Sequence, residues 1–140
     1  MSVHVFTYGS LMFPAVWTRL VPRPRASVAA RLDGFVREGV RGQSYPGIRP
    51  QAGACTIGRV YLEIDEAELG RLDAFEGAEY RRESVTVVMA TRDGRCITIA
   101  AEVYRFTEPL GLDGTPWDAA RFGCESAEGF YRAHARTGEN

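Results

Sequence analysis

The chain has 140 residues, of which 45% are hydrophobic and 25% are charged, and its formal net charge is −1 at pH 7. This length predicts a single domain over 1–140, and the composition is typical of a globular protein rather than a disordered one. The near-zero net charge argues against a general nucleic-acid binder. All 17 basic residues are arginine, which excludes Schiff-base chemistry on a lysine.

The sequence has no long apolar run and no charged N-terminal region followed by an apolar stretch. It therefore predicts no membrane association and a cytoplasmic location. Cys55, Cys96 and Cys124 are widely spaced and form no CxxC motif, so we expect buried small side chains rather than a zinc site or redox pair. With only His4 and His134 available, neither a histidine metal site nor a Ser-His-Asp triad is favoured.

The first elements are predicted from a strand pattern followed by a break. Residues 3–7 alternate in a β-rich pattern that ends at residues 8–11. An apolar stretch with helical spacing follows at 13–20 and ends before the breaker at 22–24.

The next segment predicts two strands separated by a loop. Residues 27–36 form the first strand, with a bulge or close approach at Gly34. Residues 39–53 are rich in glycine, proline and arginine and predict a long structured loop. Residues 55–64 predict the second strand.

A helix is predicted directly after that strand. Asp65 is an expected N-cap, and Glu68 three residues later completes a capping-box pattern. The helix runs to about Phe75, with apolar residues at i, i+3 and i+6 facing the core. These residues are Leu69, Leu72 and Phe75.

The last elements are a hairpin and a helical segment. Residues 82–91 and 95–106 are β-rich and flank Asp93-Gly94, which indicates a two-residue hairpin turn. A helix is predicted over about 115–136, starting at Thr115-Pro116. Strands dominate without regular strand–helix alternation, so we predict an α+β fold with a small, mixed, mostly antiparallel, barrel-like sheet flanked by helices.

Three acidic residues at successive i+3 spacings follow the predicted helix: Asp73, Glu76 and Glu79. Like charges stacked near a helix C-terminus raise carboxyl pKa values, and partial burial adds to that rise. A carboxyl that is closer to neutral is what a proton shuttle needs. The alternative interpretation is a set of solvated charges neutralised by Arg71, Arg81 and Arg82.

The glycine break at residues 8–11 has two interpretations. A glycine directly after a strand lets consecutive backbone N–H groups face an anion, or the segment is an ordinary turn. Ser10 has no identifiable base and is not expected to be a nucleophile. The arginines at 37, 41 and 49 bracket a second loop, where one of them is a candidate carboxylate clamp; the alternative is a solvated loop.

Four motifs occur in an order that resembles one family. They are Val-Phe-Thr-Tyr-Gly-Ser-Leu at 5–11, Ser-Tyr-Pro-Gly-Ile at 44–48, Leu-Asp-x-Phe-Glu-Gly-x-Glu-Tyr-x-Arg at 72–82, and Val-Tyr at 103–104. Together they resemble the gamma-glutamylcyclotransferase-like superfamily, in its AIG2-like or gamma-glutamylamine cyclotransferase branch. The resemblance covers about residues 3–106 and implies a small mixed barrel with flanking helices.

The resemblance also implies an activity and a site. The implied reaction cyclises a gamma-glutamyl group to 5-oxoproline and releases an amine or amino acid. Glu76 is the implied acid/base, with Asp73 and Glu79 in support. The implied substrate-binding residues are Tyr8, Gly9, Ser10, Leu11, Tyr80 and Tyr104.

No metal or organic cofactor is implied, and the expected partner is a small gamma-glutamyl substrate, with no nucleic acid and no membrane. The protein is expected to be a monomer or a homodimer. The alternative function is a ligand-binding or interaction module that keeps the pocket without turnover. A fully exposed or arginine-paired Glu76 would favour that alternative.

Overall fold

The computed structural model describes residues 2–43, 45–107 and 111–116. Within these ranges the elements, in chain order, are β1 (Ser2–Thr7), α1 (Pro14–Leu20), β2 (Ser27–Val40), β3 (Pro46–Asp65), α2 (Glu66–Glu76), β4 (Tyr80–Ala90), β5 (Cys96–Phe106) and β6 (Leu112–Pro116). Short 3-10 turns at Ser10–Met12 and Gly77–Glu79 follow β1 and α2.

The sheet closes into a small barrel. Its strand order is β3-β1-β5-β4-β2-β6, and an additional β2–β3 pairing joins the first strand back to the fifth. The β1–β5 pairing is parallel, with Val5 opposite Glu102, whereas the other pairings are antiparallel. The predicted α+β fold with a mixed, mostly antiparallel, barrel-like sheet is confirmed.

Strand β1 has apolar residues on both faces and so separates two parts of the core. Phe6 packs with Leu32, Val60 and Val103 in one cluster of buried side chains. Its neighbour Val5 faces the opposite way, as strand geometry requires, and packs in a second cluster that includes side chains of both helices. The end of β1 is therefore held from both sides.

Helix α2 begins as predicted. The Asp65 carboxylate accepts from the backbone N–H of Glu68 (2.8 Å), and the Glu68 carboxylate accepts from the N–H of Asp65 (3.0 Å). The predicted apolar stripe of Leu69, Leu72 and Phe75 is buried. This stripe fixes the rotation of the helix about its axis, and the rotation decides where its last residue, Glu76, points.

The predicted loop over 39–53 is wrong for most of its length. Strand β2 continues to Val40, and β3 begins at Pro46, with pairing as far as Gly39 opposite Pro46. The bulge predicted at Gly34 is present, because the register shifts there and its φ is +85°. Cross-strand hydrogen bonds outweigh the low strand propensity of glycine and proline in this hairpin.

The β4–β5 hairpin is confirmed, but its turn is not the predicted two-residue type. The N–H of Thr91 donates to the carbonyl of Arg95 (2.7 Å), and the N–H of Gly94 donates to the carbonyl of Thr91 (3.0 Å). Gly94 has a φ of +86°. These bonds define a three-residue loop with glycine in the left-handed position, which is a common alternative hairpin geometry.

Two further expectations are corrected. Thr115 and Pro116 belong to β6, where Pro116 pairs with Glu38, so no helix begins there; the rest of the predicted helix lies outside the described residues. Cys55 and Cys96 are exposed rather than buried. Cys55 alternates with the buried Thr56 on β3 and so faces outward, and Cys96 lies at the hairpin end of β5. Cys124 lies outside the described residues.

Across the described part of the chain, no helix is both long enough and apolar enough to cross a membrane.

Candidate active site

A narrow pocket lies where the chain leaves β1. The structure places every predicted site residue on its wall: Tyr8, Gly9, Ser10, Leu11, Glu76, Tyr80 and Tyr104. These residues come from the turn after β1, the end of α2 and the strands β4 and β5. The closed sheet thus brings together three motifs that are far apart in the sequence.

Glu76 is the last residue of α2, and its carboxyl group faces this pocket. Burial raises its pKa from the ordinary value of 4.5 to about 8. No ion pair with any described residue involves Glu76. Since enclosure of a carboxyl without a paired cation favours its neutral form, this group is suited to take up and release a proton near neutral pH.

The acidic cluster predicted from the i+3 spacing is divided in the structure. Asp73 pairs with Arg82, whose Nε lies 3.0 Å from Asp73 Oδ1, as the solvated-charge interpretation proposed. Arg71 and Arg81 do not neutralise these acidic residues, because Arg71 donates to the Leu20 carbonyl and Arg81 pairs with Glu83. The raised pKa of Glu76 therefore comes from burial rather than from charge stacking.

Three tyrosine hydroxyls around the pocket have fixed partners. Tyr104 donates to Asp73 Oδ1 (2.6 Å), Tyr8 donates to the carbonyl of Tyr104 (2.6 Å), and Tyr80 donates to the carbonyl of Pro46 (2.7 Å). Burial raises the pKa of all three phenols, and the nearby Glu76 carboxylate raises it further. The wall therefore presents neutral phenols at neutral pH.

The turn at residues 8–11 approaches the second hairpin closely. A Cβ at Gly9 would lie 2.9 Å from Pro46 Cγ, so a side chain there would push the two segments apart. The first bond of the 3-10 turn runs from the N–H of Met12 to the carbonyl of Gly9 (3.0 Å). The N–H groups of Ser10 and Leu11 precede that bond and have no partner within the turn.

Two residues of the β2–β3 hairpin join the pocket without having been predicted to do so. Tyr45 and Pro46 line it, and the Tyr45 hydroxyl donates to Glu79 Oε1 (3.2 Å). Both residues lie in the motif at 44–48, and this motif is the feature of the sequence from which their place in the pocket could have been predicted. Glu79, predicted only as a supporting residue, also lines the pocket.

None of the three candidate clamp arginines is among the residues that line the pocket. Arg37 Nη1 donates to the carbonyls of Tyr8 (2.8 Å) and Ile57 (3.2 Å), and Arg49 pairs with Glu38 (2.7 Å). Arg41 Nη2 donates to the carbonyl of Leu112 (3.2 Å). Arg37 therefore holds the backbone at Tyr8.

The arrangement has the parts of a proton-transfer site on a closed barrel. The model of the family described as "Gamma-glutamyl cyclotransferase, AIG2-like" matches residues 5–119. The chain belongs to this AIG2-like family. Family and fold together indicate gamma-glutamyl cyclotransferase-like activity and a small-molecule substrate.

Relatives and solved structures agree with this membership. AIG2-like protein D from Arabidopsis thaliana is 34% identical over 128 residues, covering 91% of this chain and 84% of that protein. A solution structure from Arabidopsis thaliana superposes with a TM-score of 0.71 at 28% identity, covering 98% of this chain and 82% of the other. A structure named gamma-glutamyl cyclotransferase superposes with a TM-score of 0.63 at 25% identity, covering 77% of this AIG2-like chain and 68% of the other.

Proposed function

We propose that the protein converts a gamma-glutamyl amine or gamma-glutamyl amino acid to 5-oxoproline and a free amine or amino acid, with Glu76 moving the proton. The observation that carries this proposal is the position of the Glu76 carboxyl, which lies partly buried on the pocket wall beside the turn at residues 8–11 and whose pKa is raised to about 8. General acid–base catalysis is most efficient when the pKa of the catalytic group lies close to the pH at which the reaction runs. The membership in the AIG2-like family supports the reaction class.

The proton balance of the cyclisation suits one carboxyl. The Glu76 carboxylate takes a proton from the substrate's alpha-ammonium group, and the freed amine attacks the gamma-carbonyl carbon to form the ring C–N bond. The protonated Glu76 then donates to the departing nitrogen as the original C–N bond breaks. The attacking nitrogen loses a second proton as the lactam forms, and that proton leaves with the amine, so no net proton is consumed.

The turn at residues 8–11 is proposed to hold the glutamyl group. The N–H groups of Ser10 and Leu11 are suited to a carboxylate or to the oxyanion that develops on the attacked carbonyl. Tyr8, Tyr80 and Tyr104 are proposed to shape the rest of this subsite. Holding a flexible substrate in a curled conformation contributes up to about 7–11 kcal/mol in well-aligned intramolecular reactions.

The test is release of 5-oxoproline from a panel of gamma-glutamyl amines, amino acids and dipeptides. We expect turnover by the wild type and a loss of at least about a hundredfold in Glu76→Gln. Glu66→Gln is the matched control, because it removes the same charge from the exposed start of the same helix.

Two results would contradict the proposal. Full activity in Glu76→Gln would remove Glu76 from the mechanism. No turnover of any panel member, combined with binding of a panel member in calorimetry, would favour the ligand-binding alternative instead.

A further inference from the structure

We infer that the protein has a second binding site, separate from the pocket after β1, which takes a small organic anion with an apolar body and a single carboxylate. The site is a cavity of about 540 Å³ between α1, the segment at 21–25 and strand β3. This volume lies in the range that is usual for small-molecule sites. None of its described lining residues lines the pocket after β1, so the inference does not depend on the proposed function.

The charge of the cavity wall is the first observation. Three arginines line it, Arg23, Arg25 and Arg59, and the described lining residues include no carboxylate. Arg23 pairs with Asp65 (2.5 Å) and Arg25 pairs with Glu68 (3.0 Å). These two acids, which lie at the start of α2, balance two of the three positive charges. The wall is therefore suited to receive one negative charge.

Arg59 holds the unbalanced charge in a fixed position. Its Nε donates to the Ser27 hydroxyl (2.7 Å) and its Nη2 donates to the Ser27 carbonyl (3.4 Å). Both acceptors are neutral, and Arg59 makes no ion pair with any described residue. A planar guanidinium that is held along one edge leaves its other edge for a carboxylate, which it matches in geometry.

Two stacked aromatic side chains on the wall are the second observation. The rings of Trp17 and Tyr61 lie with centroids 3.7 Å apart and planes 10° from parallel. The two residues are only 3% and 6% exposed, yet neither the Trp17 indole N–H nor the Tyr61 hydroxyl bonds to another described residue. Because buried donors normally have acceptors, these two groups favour a ligand that brings polar atoms into the cavity.

The positive charge lies close to this aromatic pair. Burial raises the pKa of the Tyr61 phenol, and the Arg59 charge acts in the opposite direction, as a nearby cation does. Arg59 and Tyr61 also lie on the same strand, two residues apart, so their side chains leave the same face of β3. The carboxylate site and the aromatic surface are therefore parts of one cavity.

The chemistry of the wall defines the class of ligand. An apolar body is favoured by the stacked rings and by the neighbouring side chains of Met12, Pro14 and Val21. A cationic ligand would meet three arginines, and a purely apolar ligand would leave the buried donors unpaired. A phosphate monoester carries a charge of roughly −1.5 to −2 at pH 7, more than the single charge to be balanced. A monocarboxylate fits all of these conditions.

The test is a nuclear magnetic resonance titration of the isotope-labelled full chain with three probes of similar shape: phenylacetate, phenylacetamide and phenethylamine. The readout is the shift of the Trp17 indole N–H signal, which Trp17→Phe assigns. We expect phenylacetate to bind with a Kd of about 1 mM or below, as is usual for a ligand of this size. Phenylacetamide should bind at least about tenfold more weakly, and phenethylamine should leave the signal in place.

Variants of Arg59 then locate the carboxylate. Arg59→Gln should weaken phenylacetate binding about tenfold and leave the Kd of phenylacetamide unchanged, since only the carboxylate contacts the guanidinium. Arg59→Lys keeps the charge but loses the planar fork, so its Kd should lie between the two. Arg92→Gln is the matched control, because it removes the same charge from the exposed turn between β4 and β5. Thermal melts check that all three variants fold.

Several outcomes would overturn the inference. The Trp17 signal could stay in place at about ten times the expected Kd, or phenylacetate and phenylacetamide could bind equally well. An unchanged Kd in Arg59→Gln would remove Arg59 from the site, and equal losses in Arg59→Gln and Arg92→Gln would show general attraction of anions. Shifts confined to the backbone N–H groups of Ser10 and Leu11 would place the anion in the pocket after β1.

Discussion

The hydroxyl of Tyr104 donates to Asp73 Oδ1 across 2.6 Å, and Arg82 Nε lies 3.0 Å from the same oxygen. The carbonyl of Tyr104 in turn accepts from the Tyr8 hydroxyl at 2.6 Å. These bonds join the turn after β1, the last turns of α2 and strands β4 and β5. Asp73 therefore ties the end of α2 to Tyr104 on the pocket wall.

Removing this link should reduce catalysis more than stability. We expect Tyr104→Phe to lower kcat/KM about tenfold. One hydrogen bond to a charged group is worth roughly 1.5–3 kcal/mol, and part of that free energy keeps the pocket wall in position. Tyr61→Phe is the matched control, since its ring is buried against Trp17 (centroids 3.7 Å apart) away from Glu76. Steady-state kinetics of both variants make the comparison; equal losses would show that the effect is general destabilisation.

The pH dependence of activity should report Glu76. Because the carboxylate is the form that accepts the first proton, kcat/KM should fall about tenfold per pH unit below the pKa of about 8. The pH at the midpoint of this acidic limb should not change when the leaving amine is varied. A limb near the ordinary carboxyl value of 4.5 would show that another group controls the reaction.

The same pKa shift predicts a pH-dependent stability. The folded state binds a proton more tightly at Glu76 than the unfolded state does, so its contribution to the free energy of unfolding is lost as pH rises from about 4.5 to about 8. Glu76→Gln removes this penalty. We expect the variant to be more stable than the wild type by about 2 kcal/mol near pH 9, a figure that allows for partial exposure.

Urea denaturation of the wild type and Glu76→Gln measures this difference. The two proteins should be closest in stability below about pH 4.5, where the carboxyl is largely protonated in both the folded and the unfolded state. A stability difference that does not vary with pH would show that the pKa of Glu76 is not raised in the folded protein.

Two glycines provide a matched test of backbone packing. A Cβ at Gly58 in β3 would lie 2.1 Å from the carbonyl oxygen of Thr7 in β1, so Gly58→Ala should lower the free energy of unfolding by about 1–3 kcal/mol or more. Gly70 lies in α2 with nothing within 4 Å of its Cβ position. Gly70→Ala should therefore raise stability by about 0.5–1 kcal/mol.

Denaturation midpoints of these two variants check the prediction. Because Thr7 immediately precedes the pocket turn, Gly58→Ala should also disturb the site, and we expect reduced activity at temperatures where it remains folded. A neutral Gly58→Ala would show that β1 and β3 separate more easily than their packing indicates.

Much of the local structure could be predicted because it depends on neighbouring residues. The capping pair Asp65 and Glu68, the apolar stripe ending at Phe75 and the bulge at Gly34 all rest on short-range spacing, and the structure contains each of them. The extent of the β2–β3 hairpin could not be predicted. Its glycines and prolines favour a loop locally, and only pairing between strands reverses that preference.

The sequence by itself determined which parts the site contains: a glycine turn after a strand, a carboxylate at a helix end and tyrosines on later strands. These parts could be identified because they depend only on side-chain chemistry and on the spacing of the motifs. Only the tertiary structure decided how far the pKa of Glu76 is raised. Neutralisation of Asp73 by Arg82 and the enclosure of Glu76 come from residues on different strands, and the free energy of a buried charge depends on all its surroundings in space rather than on its neighbours along the chain.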